Sequence, residues 1–342
     1  MFKKEIDEVV GLEIAENVLR FCLVQKRGLT FGECISNGSF VKNERLRNED
    51  EFSDLLHKLL KSHKLSHKNI VYSALNSKLL IRTILNENFG SEKEIYEYIF
   101  LELGNSIVLP FDNPVFDLLV LDNKSGKNKK IPGKRNKEKD VKKKTIKRNR
   151  FSVKGSIPFI ATSQTVLESI GDGITKSGNQ PVAVDCNSLA YVRVFRREIK
   201  VSENFLLVEF DSGTATITIF EEFSPVFVQH EEYNKVNWRY IEKNGTILPS
   251  FDEIKEQEQL VNLSHIISDV CTYFENALSM GNHISHIYLV GNHPLLRTEV
   301  TTIIQSVNSV EVTPLISTIT NSDGKLVPNR FMLSLGLALK EL

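Results

Sequence analysis

The chain has 342 residues, 41% of them apolar and 25% charged, with 43 basic residues matched by 43 acidic ones. That composition excludes a disordered, collagen-like or disulfide-framework protein, and the length exceeds the roughly 250 to 300 residues at which one core stops growing, so two α/β lobes are expected. Cys22, Cys34, Cys186 and Cys271 form no CxxC pair, the amino terminus MFKKEIDEVVG lacks a secretory h-region, and no apolar run approaches the roughly 20 residues of a membrane span, so a reducing, cytoplasmic setting is expected.

In chain order, VGLEIAENVLRFCLV (Val10 to Val24) reads as an apolar strand, a small polar turn and a return strand, and LTFGECISNGSF (Leu29 to Phe40) as the next strand. In EDEFSDLLHKLLKSHKL, residues Phe52, Leu55, Leu56, Leu59 and Leu60 recur at the spacing of one helix face. Asn69 to Tyr72 and Lys78 to Leu85 are strand-like, with Asn76 and Ser77 as the turn between them. Ser91 with Glu94 forms a capping-box pattern that opens a helix running to Leu103. Val115 to Asp122 and Phe151 to Thr162 read as strands, Ser163 to Ile170 as a helix and Pro181 to Asp185 as a strand. NSLAYVRVFRR then closes the first half as a helix, with Asp185 expected at its N-cap.

Between the strands on either side of it, the run from Lys124 to Arg150 carries 14 Lys and Arg against Glu138 and Asp140. Its local charge is therefore +12, and the rest of the chain carries −12. With almost no apolar residues to offset ordering entropy, residues 123–150 are expected to be a disordered hairpin tip, suited to anionic lipid or an acidic partner. No aromatic residue interrupts the run, which argues against specific nucleic-acid binding.

The second half repeats the logic. FLLVEFDSGTATITIF (Phe205 to Phe220) is again strand, polar turn and strand, followed by SPVFVQHEEY as a strand and a helix-rich stretch from Phe251 to Met280. SHIYLVGNHPLLRTEVTTII reads as strand, glycine turn and helix, a shape that brings backbone N–H groups to a ligand. VPNRFMLSLGLALKEL reads as a closing helix, apolar all round and hence packed in a core. Trp238, the only tryptophan, is expected to pack. His57, His63 and His67 lack an acidic partner at metal-site spacing, and His283, His286 and His293 are expected in loops around a strand.

Taken in order, VGLEIAENVLR, SALNSKLLIRTI, EIYEYIFLELGNSIVLPFD, QPVAVDCNSLAYVRVF and VPNRFMLSLGLAL resemble successive segments of the PilM proteins of type IV pilus assembly. These are cytoplasmic relatives of the cell-division protein FtsA in the actin-like ATPase superfamily. The resemblance implies an actin-like (ribonuclease H-like) two-lobe α/β fold with an additional α+β subdomain of the FtsA and PilM type. It implies a first lobe from residues 1–70 and 163–198, the subdomain at 71–162, a second lobe at 199–320 and a closing helix at 321–342. It also implies a scaffold at the inner face of the cell membrane, whose partner is the cytoplasmic amino-terminal segment of PilN, a bitopic membrane protein. Self-association is compatible with it.

By the same resemblance, ATP and Mg2+ would occupy a cleft lined by Glu13, Ala15, Asn17, Arg20, Glu209, Asp211, Ser212, Gly213, Thr214, Gly291 and Asn292, with Glu13 and Glu209 toward the metal. Family members with a working site carry D-x-G where this chain has Glu13, Ile14 and Ala15, and again where it has Glu209, Phe210 and Asp211. Gly291 and Asn292 stand where Gly-Gly is common. Glutamate pushes each carboxylate one methylene further into the cleft, Ala15 restricts the approach of phosphate to backbone, and Asp211 adds negative charge beside phosphate oxygens. Ser212, Gly213, Thr214, Asn17 and Arg20 keep features that favour nucleotide, and Asp211 to Thr214 also reads as a D-x-G-T motif shifted by two residues. The expectation is nucleotide binding weakened or lost, with no catalytic residue assigned. Two alternatives belong to other classes: an FtsA-like membrane-associated filament protein, disfavoured because the chain ends directly after its closing helix, and an actin-like small-molecule kinase, disfavoured because no catalytic carboxylate can be placed.

Overall fold

The computed structural model describes residues 8–341 apart from 27, 86–88, 112, 120–155, 222–223, 280 and 322. The basic run from Lys124 to Arg150 lies outside the described residues.

The first part of the chain forms β1 (Val9–Ile14), β2 (Val18–Gln25), β3 (Gly28–Ile35), a two-strand ribbon of β4 (Val41–Lys42) and β5 (Arg45–Leu46), α1 (Glu49–Ser62) and β6 (Asn69–Ser73). β7 (Leu79–Leu85), α2 (Glu92–Glu102), β8 (Pro114–Leu118) and β9 (Ser156–Ser163) follow, then α3 (Gln164–Lys176), β10 (Gln180–Asp185) and α4 (Asn187–Val194). The remainder is β11 (Phe205–Asp211), β12 (Thr214–Glu221), β13 (Ser224–Glu231), a ribbon of β14 (Arg239–Lys243) and β15 (Thr246–Ser250), α5 (Glu253–Tyr273), β16 (His286–Gly291), α6 (Thr301–Val307), β17 (Glu311–Pro314) and α7 (Met332–Ala338).

These strands build two five-stranded sheets of one plan. The first has the order β10-β6-β1-β2-β3 and the second β13-β12-β11-β16-β17. In each, the opening strand pairs antiparallel with the next strand and parallel with a later one, which is followed by a further parallel strand. Both opening strands are buried along nearly their whole length, as continuous apolar runs in central strands covered on two faces should be. A third sheet, β7-β9-β8, carries α2 on a small core of its own around Ile95, Ile99 and Phe159.

Three larger cores cement the layers. α1 and α3 cover one face of the first sheet through Phe52, Leu56, Val166 and Ile170, and α5 and α6 cover one face of the second through Leu260, Ile267 and Ile304. Between the two sheets lie α4 and α7, in a core shared by Cys22, Tyr191, Phe205, Tyr288 and Met332. A Cβ on Gly336 would lie 2.2 Å from the carbonyl oxygen of Ala190, so the helices cross in backbone contact there.

Local chemistry accounts for the helix starts. Asn48 caps α1 through its side chain, Ser91 caps α2 and Asp252 caps α5. In α2 the Glu94 carboxylate reaches back to the Gly90 N–H, completing the box one residue earlier than its usual partner. Several expectations need correction. The strand begun at Leu29 ends at Ile35, because residues 36–40 turn back to bond the first hairpin through Ser36 and Phe40. The helix expected from Ser163 to Ile170 runs on to Lys176. Asp185 does not cap α4: Cys186 takes that position without a side-chain cap bond, and Asp185 is drawn instead to Arg193 and Lys340.

Candidate functional site

The two sheets meet across a cleft of about 580 Å³. Its walls come from the first hairpin (Glu13 to Glu16), the second hairpin (Glu209, Asp211, Ser212, Thr214), the β4-β5 ribbon, the Asn76 to Lys78 turn and the start of α4 at Asn187. Arg20, Asn17, Gly213, Gly291 and Asn292 are placed close by without lining it.

In the first hairpin, Ile14 pairs with Leu19 and the Ala15 N–H donates to the Val18 carbonyl at 3.0 Å. Ala15 needs no glycine conformation there. Its methyl packs with Val18, Ile247 and Tyr240. Glu13 is buried and accepts from Arg20 Nη1 at 2.8 Å and from Asn292 Nδ2 at 3.2 Å. Burial raises its carboxyl to about 7 against the opposing pull of Arg20. Arg20 has no exposed surface: Nε donates to Glu33 at 3.2 Å, its Cζ lies 4.9 Å from the centre of the Tyr240 ring, and Nη2 is buried without a partner. Asn17 donates to the carbonyls of Ser36 and Tyr240 at 3.2 and 3.3 Å, so its amide ties strands together.

The second hairpin closes through Ser212 and Gly213, both at positive φ, the two-residue loop that matches strand twist. Gly213 is required twice over, because a Cβ would also meet the Asn234 backbone at 2.6 Å. Asp211 accepts from Ser212 Oγ and from the Tyr240 hydroxyl at 2.9 Å. Thr214 Oγ1 donates to the Asp211 carbonyl at 2.6 Å. Glu209, buried, accepts from Asn76 Nδ2 and Asn187 Nδ2, each at 2.8 Å, and burial raises its carboxyl to about 8 despite both bonds. At the turn after β16 the positive φ falls on Gly291, not Asn292.

This floor does not suit a magnesium triphosphate. Around the cleft, Glu13 Oε2, Asn17 Oδ1, Asn187 Oδ1 and Asn292 Oδ1 are buried without a partner and are acceptors, which repel phosphate oxygens, whereas the one donor left so, Arg20 Nη2, does not line the cleft. Near neutral pH, the Glu209 carboxyl, raised to about 8, is mostly protonated and the Glu13 carboxyl, raised to about 7, about half so, whereas hard cations require carboxylate anions. Among the described residues no group of three or more His, Cys, Asp or Glu is placed to hold a metal ion.

Three participants were missed from the sequence. Tyr240 lies on the β14-β15 ribbon, whose loop Asn244-Gly245 at positive φ is an Asn-Gly hairpin signal that could have been read. Asn76 and Asn187 carry no local signal. Elsewhere, Trp238 is buried, stacks on Phe251 at 4.3 Å and donates to Glu256 at 2.6 Å. Burial pushes the Glu256 carboxyl up, but bonds from His293, Trp238, Tyr233 and Asn234 outweigh it and hold the carboxyl below its ordinary value. His293, in the loop after β16, is thus a buried partner of Glu256, whereas His286 is not a loop residue: it opens β16 and bonds Thr313. His57, His63 and His67 each meet a backbone carbonyl.

A second opening of about 540 Å³ lies between the first sheet and the three-stranded subdomain. Leu79, Val115 to Leu119, Ile160 to Thr162, Leu167, Val184 and Leu189 make its walls apolar, with Asp185 and Lys340 at the margin. β8 and β10 are both edge strands. Bonds from Gln164 N–H to Asn113 and from Leu119 N–H to Pro158 fix the alternation along β8, which turns the backbone groups of Phe116 away from β9. Parallel pairing of Ala183 and Asp185 with β6 turns those of Val184 outward likewise. Thr162 Oγ1, in the same groove, is buried without a partner.

Fold and cleft together define an actin-like two-lobe protein with an additional subdomain. Among solved structures, it is similar to the PilM-PilN type IV pilus biogenesis complex, with a TM-score of 0.71 over 98% of both chains at 15% sequence identity. Weaker overlaps, which carry no argument, are with ethanolamine utilization protein EutJ from Carboxydothermus hydrogenoformans (TM-score 0.48, 10% identity, 96% of this chain and 88% of that one) and the cytoplasmic domain of EpsL, an inner membrane component of the Vibrio cholerae type II secretion system (TM-score 0.45, 9% identity, 97% of this chain and 95% of that one). No protein-family model matches the chain. No curated protein matches it in sequence. Identity this low shows the fold alone. Among the described residues, no helix is long and apolar enough to cross a membrane.

Proposed function

We propose that this protein is a scaffold of type IV pilus or related secretion-system assembly, which holds the cytoplasmic amino-terminal segment of a PilN-like inner-membrane protein and binds nucleotide weakly or not at all. The observation that carries this reading is the apolar groove of about 540 Å³ flanked by the edge strands β8 and β10. An extended segment supplies what such a groove lacks: backbone partners for the outward groups of Val184 or Phe116, and alternate apolar side chains for the walls. Likeness in fold to the PilM of a PilM-PilN complex supports the choice of partner. Residues 71–162 then form the subdomain that makes the outer wall, and the charge of the basic run at 124–150 suits anionic lipid.

Isothermal titration of a synthetic peptide carrying the partner's cytoplasmic amino-terminal residues tests this. Binding is expected, with at least a tenfold loss in Leu189→Lys, which places a charge in the groove wall. No binding by the unaltered protein, or equal binding by the variant, would overturn the reading.

A further inference from the structure

We infer that the two lobes are latched shut by the chain's own side chains across the cleft, so that closure requires no ligand. Every residue at which the phosphate and magnesium motifs are altered takes part. Glu13 of the first sheet accepts from Asn292 of the second lobe at 3.2 Å. Glu209 of the second sheet accepts from Asn76, in the turn between β6 and β7, and from Asn187 of the first lobe, both at 2.8 Å. Asp211 fixes the Tyr240 hydroxyl at 2.9 Å, and that ring lies against Arg20 and packs on Ala15 and Val18 of the first hairpin. The Tyr240 carbonyl also accepts from Asn17 at 3.3 Å.

These contacts lie on both sides of the cleft floor, and the participating carboxylates, Glu13 and Glu209, are buried. Opening would break those that cross the cleft together, since the β14-β15 ribbon, anchored to its own lobe through the Asp211 bond, carries Tyr240 over as one unit and packs Ile247 against the first hairpin. A ligand shifts a two-state equilibrium only by binding the states unequally, and a closed state already secured by internal contacts leaves little for a ligand to shift. The latch stands independently of the partner proposed above.

Pulsed electron–electron distance measurement tests it, with spin labels on Lys42→Cys and Glu232→Cys, on opposite rims, in a Cys34→Ser background. One narrow distance population is expected, unchanged by millimolar ATP and magnesium. Asn76→Ala with Asn187→Ala, and separately Tyr240→Phe, should each raise the longer-distance population at least tenfold while circular dichroism shows a folded protein. Two comparable populations in the unlatched-by-design absence of these substitutions, narrowing on addition of ATP and magnesium, or wild-type distances in folded latch variants would overturn it. If the paired asparagine variant does not fold, Tyr240→Phe, which keeps the ring, decides.

Discussion

Two openings of nearly equal size, about 580 and 540 Å³, differ in what faces them. Around the cleft, Glu13, Arg20, Glu209, Asp211 and Asn292 bond one another or the opposite lobe. Around the groove, two sheet edges and Thr162 Oγ1 are left facing an apolar space. The cleft also buries polar atoms without partners, Arg20 Nη2 and Glu13 Oε2 among them, so what sets the groove apart is its free strand backbone, which an extended segment can pair. On the readings proposed above, the cleft serves as an internal joint and the groove as a docking site.

Breaking the joint at its centre should give the largest effect. Arg20→Ala leaves the buried Glu13 with no cation and Glu33 with Arg330 alone, and removes the cation under Tyr240, so a loss of about 3–5 kcal/mol in unfolding free energy is expected in urea. A loss below about 1 kcal/mol would show that the cleft polar groups are not mutually dependent. Next in size, Leu189→Lys should weaken the amino-terminal peptide by at least about 1.4 kcal/mol, the tenfold change named above, with urea stability nearly unchanged because Leu189 is only partly buried. Equal losses in stability and binding would mean that the groove wall is core.

Why the fold was legible and the joint was not follows from sequence distance. Apolar spacing in α1, the caps at Asn48 and Ser91, and the continuous apolar runs of β1 and β11 are local signals, and the two-sheet architecture follows from them. The joint is made of contacts between residues far apart, such as Asn76 with Glu209, and no local pattern distinguishes an asparagine that will cross a cleft from one in a turn. Reading Glu13, Ala15, Glu209 and Asp211 against nucleotide motifs showed what each residue spoils, but not what each does instead. The β14-β15 ribbon was missed although Asn244-Gly245 announced it. Asp185 looked like an N-cap because an acidic residue stood before a helix, and its real partners, Arg193 and Lys340, come from within that helix and from beyond α7.

The pH response sharpens the comparison, because only the cleft contains carboxyls pushed to about 7 and 8. For both, the folded value lies above the ordinary 4.5, so the native state binds more protons than the unfolded state in between. Stability must therefore fall as pH rises from about 4.5 through 8 on account of these groups. Glu209→Gln keeps two hydrogen-bonding positions for Asn76 and Asn187, whose amides can turn to suit, and loses the buried charge. Thermal or urea unfolding should find the variant about 1–3 kcal/mol more stable than the wild type at pH 8.5, with the advantage shrinking toward pH 5. An advantage independent of pH would mean that the carboxyl does not titrate in the folded protein.

The smallest expected change is the one an active nucleotide switch would make large. A ligand that binds only the native state stabilises it by RT ln(1 + [L]/Kd), so at 1 mM ATP with magnesium a millimolar Kd yields about 0.4 kcal/mol and a micromolar Kd about 4. With acceptors on the cleft floor, a shift of no more than about 0.4 kcal/mol is expected for the wild type. Asp211→Gly removes one negative charge and frees the Tyr240 hydroxyl, but leaves Glu13 and Arg20 paired and the Tyr240 ring against Ala15. It should therefore recover little binding alone, and more when combined with Tyr240→Ala, which clears the space as well as the charge. Recovery by Asp211→Gly alone would mean that electrostatic repulsion, and not occupation of the joint by the chain's own side chains, excludes the nucleotide.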